Sequence, residues 1–526
     1  MNTVALLLVI LVAPFWYFFV GYPVAAALGR PRLALVVGLG LTGWACEFIL
    51  VAGLPVWVPL AGLVAVGLCR FGEVQIQVHL REVYLVYTWP LAAVLLTPFP
   101  GMGVWSTDWL YVFQTGQAVI GNLPYGGPML ERPPLGGASC IPLWYLVDGL
   151  PTFQVWSAVT SAALVMVAME LYRELGGMRT GVRVWLPLLA SCFFLHHTML
   201  GWAKFLAAGL TLAGLFLMAR PERRWNWTAG SVLFALSVAT HQSAILYGPF
   251  VVRFSLRSGP RVGVRRLLIA LVAGLVFVLP FEVWTIRTFG LDAKVNANPA
   301  LAQRNPNESG GLRASFMMLS TFVPWNMVED AAKCFGGGPV APNLYWLATG
   351  VLTALAGTLL GSMIPFLPLR RSPPAPRPWA LPSRGFAACL CLAVVGNAVL
   401  SPYYAKWGSA QTGVVPVQVL LFVVLIRWLD DAPTGTRASV NRLSLLLGVV
   451  PYALLAAGMT VWLRGVPAAH EAFLTWDDND YEKLLADADG RSLAFTLFPL
   501  GPLLALALLA VPFLQRGGTE PAAESP

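Results

Sequence analysis

Asp108 and the run Glu131-Arg132-Pro133-Pro134 stand in one polar stretch between apolar segments. Aromatic residues accompany them: Trp105, Trp109, Tyr111, and Tyr125 within Asn122-Leu123-Pro124-Tyr125. A carboxylate held beside a hydroxyl can remove its proton, which is general-base chemistry. A rigidly displayed guanidinium suits a phosphate, because its planar fork of donors meets two oxygens at once. The two prolines supply rigidity by fixing their own φ and biasing Arg132 away from helix. Each residue also has a plain structural reading. Asp108 could cap a juxtamembrane helix beginning at Trp109, and Arg132 could pair with Glu131 or with a lipid headgroup.

What holds that stretch decides which reading applies. The chain has 526 residues, 57% of them hydrophobic and 11% charged, with a mean hydropathy of +0.69. Soluble proteins carry about 25% charged residues. Apolar runs near the roughly twenty residues that cross a bilayer recur along the chain. They are rich in Leu and Ala and lack alternation, which excludes an outer-membrane barrel. The expected fold class is an all-α polytopic membrane protein. The net charge of +9 does not imply nucleic acid, because no basic cluster sits on a soluble fold of its own. The first span, Val4 to Leu28, has no basic leader and no small-residue cleavage site, and is expected to be a retained helix.

Hydropathy read with the basic residues predicts about fifteen transmembrane helices (range 12–15), near 4–28, 33–51, 55–69, 83–99, 153–172, 184–199, 203–219, 226–240, 243–256, 265–286, 343–367, 385–400, 413–427, 443–463 and 493–514. The pair around His241 could be one bent unit. Alternate turns then collect Arg30, Arg32, Arg70, Arg81, Arg173–Arg183, Arg220–Arg224, Arg253–Arg266, Arg370–Arg384, Arg427–Arg442 and Arg516, which is 23 of the 34 basic residues. The positive-inside rule makes that side cytoplasmic, with the N-terminus outside and the C-terminus inside. Residues 136–150, with Pro142 and Asp148, are too few for a span and are expected to form an interfacial helix on the outer surface. The extracytoplasmic segments are then 100–152, 287–342, 401–412 and 464–492. A proline-rich cytoplasmic linker, 367–384, divides a front region, 1–366, from a back region, 385–526. No repeat of fixed period relates them, unlike transporters built on inverted repeats.

Other polar residues fall at the outer face of this scheme. Lys204 begins a span, where it could neutralise a phosphate, and His241 at the next outer turn could donate a hydrogen bond to one. His196-His197 read more simply as helix-end residues, since no third ligand has zinc spacing. Glu47 lies within the second span, where insertion of a charge costs roughly 2.5–3.5 kcal/mol, and is expected to face protein or the outer interface. Tyr403, Tyr404, Lys406 and Trp407 fit an aromatic belt. Gly38-x-Gly40-x-x-Gly43 has the letters of a dinucleotide fingerprint but no preceding strand, so it reads as helix packing. Asp477-Asp478-Asn479-Asp480 lacks the glycine of a calcium loop and reads as the start of a soluble helix. Asn307-Glu308-Ser309 matches a glycosylation acceptor pattern without further support. Of the seven cysteines, Cys46, Cys69, Cys192, Cys389 and Cys391 read as apolar fillers, and Cys140 and Cys334 as residues that could be bridged outside the membrane.

The run from Asp108 through Asn122-Leu123-Pro124-Tyr125 to Glu131-Arg132-Pro133-Pro134-Leu135, leading into a helix that ends in Tyr172-Arg173, resembles the first periplasmic loop of type C (GT-C) integral-membrane glycosyltransferases. The branch is the aminoarabinose transferase and protein O-mannosyltransferase-like one, and the resemblance covers about residues 100–260. It implies a GT-C-like catalytic region over 1–366 and a sugar transferred from a polyprenyl-phosphate donor on the extracytoplasmic face. Asp108 would be the catalytic base and Arg132, with Lys204 and His241, the donor-phosphate contacts. Glu131, Trp105, Trp109, Tyr111 and Tyr125 would line the substrate loop. The acceptor would be a hydroxyl of a glycan, lipid or protein, in a bacterial cytoplasmic membrane. This chain has Trp109 where the family often has a second acid, and Arg132 where it has lysine, and three spans precede the loop where the simplest members have one. No cofactor is fixed by the sequence, and a divalent metal is left open. The alternatives are a transporter or flippase of lipid-linked saccharides and a non-catalytic envelope-assembly protein.

Overall fold

The computed structural model describes residues 3–70, 75–96, 106–121, 133–297 (apart from 178, 180, 192, 193, 196, 199, 200, 221, 222, 224 and 258), 415–446, 493, 497 and 500–514. Helix is the only regular structure among the described residues. The expected spans at 343–367 and 385–400, most of that at 443–463, the linker 367–384 and the segments 401–412 and 464–492 lie outside them, as do Cys192, Cys334, Cys389, Cys391, the Tyr403–Trp407 turn, Asn307-Glu308-Ser309 and the Asp477 run.

Thr3–Ala27 (α1) and Ala34–Val51 (α2) form an antiparallel hairpin, turned through Gly29 at φ +67 and a 3-10 turn at Pro31–Leu33. Its two backbones touch. A Cβ at Gly38 would collide with the Tyr17 carbonyl, and one at Gly21 with that of Ala34. Membrane helices associate closely through such small residues, because lipid gives apolar side chains no reason to leave it. The Gly38-x-Gly40-x-x-Gly43 set is a packing motif, as expected. Gly40 faces Leu210 and Leu236, and a Cβ at Gly43 would stand 2.5 Å from the Leu135 carbonyl oxygen.

Trp57–Leu68 (α3) and Gln75–Leu96 (α4) come next, α4 starting eight residues before the span predicted at 83. Ser106–Gly121 (α5) and two single turns, Leu135–Ala138 (α6) and Ile141–Trp144 (α7), lead to Leu150–Glu174 (α8). Every residue of α8 from Leu150 to Tyr172 is buried. It is the central post, enclosed by α1, α2, α4 and Lys204–Ala219 (α10). Between α8 and α10 the span predicted at 184–199 is broken. A 3-10 turn at Val182–Trp185 and the short Leu186–Leu189 (α9) end at a turn at Ala190. Pro187 and Gly201 belong to this stretch, and both disfavour a continuous helix. Its freed backbone groups find partners inside the bundle. Trp89 Nε1 donates to the Leu189 carbonyl at 2.9 Å and Ser157 Oγ to that of Thr198 at 2.6 Å.

Asn226–Thr240 (α11) returns antiparallel to α10, the two crossing at Gly214 and Gly230. At His241 the backbone is extended (φ −157, ψ 120), and a 3-10 turn at Gln242–Tyr247 leads into Gly248–Leu256 (α12). The predicted spans at 226–240 and 243–256 are thus two helices joined by a 3-10 turn. Pro260–Phe277 (α13) and Leu279–Phe289 (α14) bend by 41° at their junction, where Pro280 removes a backbone donor. Leu291–Ala297 (α15) comes after them. From the back region, Val415–Asp431 (α16) packs on α8 and α10, the amphipathic Thr434–Ser444 (α17) succeeds it, and Leu500–Leu514 (α18) packs on α4.

Among the described residues, α1, the Pro31–Val51 unit and α8 are long and apolar enough to cross a membrane, and the bent α13–α14 pair makes a fourth. With the composition, they make the chain an integral membrane protein. One end of the bundle is held by ion pairs. Arg30 reaches Glu170 at 2.7 Å and Glu174 at 2.9 Å, Arg220 also pairs with Glu174, and Arg32 meets Glu82 at 2.8 Å. Burial alone would raise the Glu82 carboxyl, but the His79 hydrogen bond and the Arg32 charge and hydrogen bond bring it below its ordinary value. Nearby, Tyr172 donates to Asp430, and Arg427 Nε to the Leu175 carbonyl at 3.0 Å. These bonds join the arginine ends of α1, α2, α4, α8, α10 and α16.

Gly214→Val should lower the melting temperature of purified protein in detergent, with an overpacking cost of about 1–3 kcal/mol. Gly62→Ala, where a Cβ meets nothing within 4 Å, should leave it unchanged or slightly raised. Equal behaviour of the two variants would contradict the glycine crossing.

Candidate functional site

The polar stretch is more structured than a loop. Helix α5 starts at Ser106, so Asp108 lies inside its first turn rather than capping a helix begun at Trp109. A carboxylate there is favoured by the unpaired amides and positive end of the helix. The side chains of Asp108, Trp109 and Tyr111 lie outside the described residues. Trp105, Tyr125, Glu131 and Arg132 lie wholly outside them.

The chain beyond Arg132 corrects the expectation of a surface helix at 136–150. Pro134 to Trp144 are buried in protein. Small residues make this entry feasible, because Gly136, Gly137 and Ala138 let neighbouring backbones come close. A Cβ at Gly116 of α5 would stand 2.6 Å from the Gly137 carbonyl oxygen, and one at Gly136 would stand 2.8 Å from Ala203 Cβ. The depth can be read from α1. Tyr17 OH donates to the Ser139 carbonyl at 2.6 Å, and Tyr17 is 14 residues (17 − 3) beyond the first residue of α1, roughly 21 Å at 1.5 Å per residue.

Where helical turns break off inside a bundle, the backbone groups they free must be satisfied by protein. Ser139 is the centre of that network. Its carbonyl accepts from Tyr17, its Oγ donates to the Gly136 carbonyl at 2.7 Å, and Trp156 Nε1 of α8 donates to its Oγ at 2.8 Å. Trp144 and Phe113 meet edge to face at 5.4 Å and close the segment against α5 and α8. At its far end, Asp148 Oδ1 accepts from Gln117 Nε2 and from the Gly149 amide, each at 2.7 Å. Gly149, at φ +111, then turns the chain into α8.

The buried segment leads to the start of α10, where Gly136 packs on Ala203, the residue before Lys204. Lys204 opens α10, is 4% exposed, and holds its ammonium 3.4 Å from the Trp202 ring centroid. A cation over an indole face at that distance is attracted by the ring quadrupole. His241 stands at the same end of the α10–α11 hairpin. Its Nδ1 accepts from the Ser243 amide at 3.3 Å and lies 2.8 Å from Ser243 Oγ. An imidazole that accepts a backbone N–H at Nδ1 carries its own proton on Nε2, the form that donates to an anion. His197 stacks on Phe205 at 4.9 Å and meets Trp202 edge-on at 5.3 Å, as a packed aromatic. His196 lies outside the described residues. Among the described residues no group of three His, Cys, Asp or Glu is arranged to hold a metal. Cys140 is buried without a bridge.

Two features have little sequence signal. The Ser139 network depends on residues 122 positions apart in the chain. Glu47 is buried at 4% exposure on α2, one turn from the Gly43 contact with Leu135, in the direction away from the arginine end. Across from it, Lys294 of α15 pairs with Glu282 of α14 at 3.2 Å.

Fold and site thus define an integral membrane protein, helical throughout its described residues, with the Pro134–Trp144 segment folded into its bundle beside the buried Lys204. No family model matches the chain, and no curated protein matches it. Among solved structures, ArnT from Cupriavidus metallidurans bound to undecaprenyl phosphate is similar, at 16% identity over 84% of this chain and 79% of that one, with a TM-score of 0.46.

Ser139→Ala leaves the Trp156 indole N–H without its acceptor, which costs about 1–3 kcal/mol for a buried donor. The variant should unfold at a lower temperature than wild type, and Trp156→Phe should cost less in that background than in the wild-type protein. Additive losses would show that the two residues act separately.

Proposed function

We propose that the protein is an integral-membrane glycosyltransferase that moves a sugar from a polyprenyl-phosphate donor to an acceptor hydroxyl at the extracytoplasmic face. The observation that carries this reading is the seating of Gly136 on Ala203. It ties the chain after Arg132-Pro133-Pro134 to Lys204, on the end of the hairpin where His241 stands. An acidic turn, a proline-fixed guanidinium and a buried ammonium in an apolar bundle suit a phosphate carried by a lipid. The sequence resemblance of residues 100–260 supports the same reading.

In this mechanism Asp108 takes the proton of the acceptor hydroxyl as its oxygen forms a bond to the anomeric carbon of the donor. The bond from that carbon to the phosphate oxygen breaks, and the electron pair leaves with the polyprenyl phosphate. Arg132 and Lys204 offset the charge that develops on the leaving phosphate, and His241 Nε2–H donates to it. Preorganised donors act strongly here because the bundle excludes water. Glu131, Trp105, Trp109, Tyr111 and Tyr125 shape the mouth in which acceptor and sugar meet. The prenyl chain lies against apolar helix surface in contact with membrane lipid. Sugar, acceptor and stereochemical outcome are open within this class.

Asp108→Asn should reduce turnover of a polyprenyl-phosphate sugar by about 10²–10⁴-fold, while undecaprenyl phosphate binds as in wild type. Arg132→Gln should instead weaken binding of undecaprenyl phosphate. Wild-type turnover by purified Asp108→Asn protein would sink the proposal.

A further inference from the structure

Arginines that the proposed chemistry does not use crowd the corner between α12 and α13. Its neighbours place this corner at the arginine end of the bundle. Trp227, at the start of α11, donates from Nε1 to the Arg266 carbonyl at 2.9 Å, and the Arg266 guanidinium lies 5.0 Å from the Trp227 ring centroid. The preceding residue, Asn226, donates to the carbonyl of Arg220 at 2.6 Å.

Two kinds of arginine meet at that end. Arg30, Arg32 and Arg220 are matched by carboxylates. Arg257, Arg261 and Arg265 are exposed, and none of the ion pairs among the described residues includes them. The sequence holds no acid between His241 and Phe281. Arg261 and Arg265 stand four apart on α13, where like charges repel. The turn at Gly259, with φ +88, folds α12 back on α13. A Cβ at Gly263 would stand 3.2 Å from the Ser255 carbonyl oxygen, so Arg257, two residues after Ser255, joins the other two at the corner.

The face of α13 that carries Arg261 and Arg265 continues without charge. Leu268, Val272 and Leu275 follow at helical spacing, and each is roughly half exposed. No charged residue occurs from Leu267 to Phe281, and α13 with α14 is the bent pair apolar enough to cross a membrane. From Arg265 to Leu275 the helix rises roughly 15 Å, half of a hydrocarbon core of about 30 Å and so the depth of one leaflet. Guanidinia at the head of a leaflet-deep apolar stripe match the build of a phospholipid. A soluble acidic partner would engage the arginines and leave the stripe unused.

We infer that the α12–α13 corner binds an anionic phospholipid, with the headgroup phosphate on Arg257, Arg261 and Arg265 and the acyl chains along Leu268, Val272 and Leu275. Planar guanidinium forks suit the phosphate oxygens. Three cations with no carboxylate partner favour a headgroup of net negative charge over a zwitterionic one, whose own ammonium already balances its phosphate. The bound headgroup offsets the repulsion among the three arginines.

The test uses the full-length protein in detergent, with phosphatidylglycerol and phosphatidylcholine of identical acyl chains as probes and bound lipid read by native mass spectrometry. Wild type should bind phosphatidylglycerol more tightly. Replacing all three residues, Arg257→Gln, Arg261→Gln and Arg265→Gln, should weaken that binding by about fivefold per arginine, with phosphatidylcholine binding and the melting temperature unchanged. Lysine at the three positions should recover most of it. Arg261→Gln alone should weaken binding by about fivefold, and it decides the matter if the triple variant melts earlier. The inference is overturned if wild type shows no preference between the lipids, or if the glutamine variants keep it. It is overturned equally if inorganic phosphate or polyglutamate displaces phosphatidylglycerol, which would assign the corner to a soluble anion or an acidic protein.

Discussion

Backbone amides and carbonyls must be satisfied inside the bundle, and this constraint organises the rest of the structure. A bilayer offers them no water, so chain that leaves helical geometry at depth needs protein partners for each freed group. Two stretches break into single helical turns: residues 134–144 and the chain from Val182 to Leu189. On α8, Trp156 serves Ser139, and Ser157 and Ser161 serve Thr198, beyond the second stretch. Because α8 is enclosed along its length, its polar face never meets lipid and can be given over to this task. Tyr17 and Trp89 do the same from α1 and α4.

Charge is distributed by the same logic. At the arginine end, Arg30, Arg32 and Arg220 alternate with Glu82, Glu170 and Glu174, so each buried charge has an opposite neighbour. Such networks add little net stability, since desolvation offsets most of the attraction. They do fix helix register, because removing one partner strands the others. The segment between Leu135 and Val147 carries no charge of its own.

Helices with uniform apolar sequence were legible from hydropathy. α1, α2, α8 and α10 fall close to the predicted spans. The glycine motif at Gly38 was also legible, because its lack of a preceding strand left packing as its use. Residues 136–150 were misread for a physical reason. Their short length and Pro142 argue correctly against a spanning helix, and an interfacial position is the usual alternative. Burial was decided instead by Gly136, Gly137 and Gly43 meeting across the chain, and by partners such as Tyr17 that sequence spacing cannot pair. The break at 184–199 was hidden similarly, since hydropathy registers apolar content and not whether Pro187 lets the helix continue.

Seating the segment at depth changes what the Asp108–Arg132 motif can do. On a surface, a carboxylate and a guanidinium would work in water, where a charge pair 4 Å apart interacts by only about 1 kcal/mol. On the proposed reading, the same groups meet a ligand whose lipid tail stays in the membrane, and the phosphate is not lifted into water to meet them. That arrangement favours fixed cations over a dense basic patch, because each one acts in a weakly screened setting. It also explains why proline, glycine and serine are the residues around Arg132 and α6. Proline fixes the approach, glycine permits entry, and Ser139 satisfies the backbone that entry exposes.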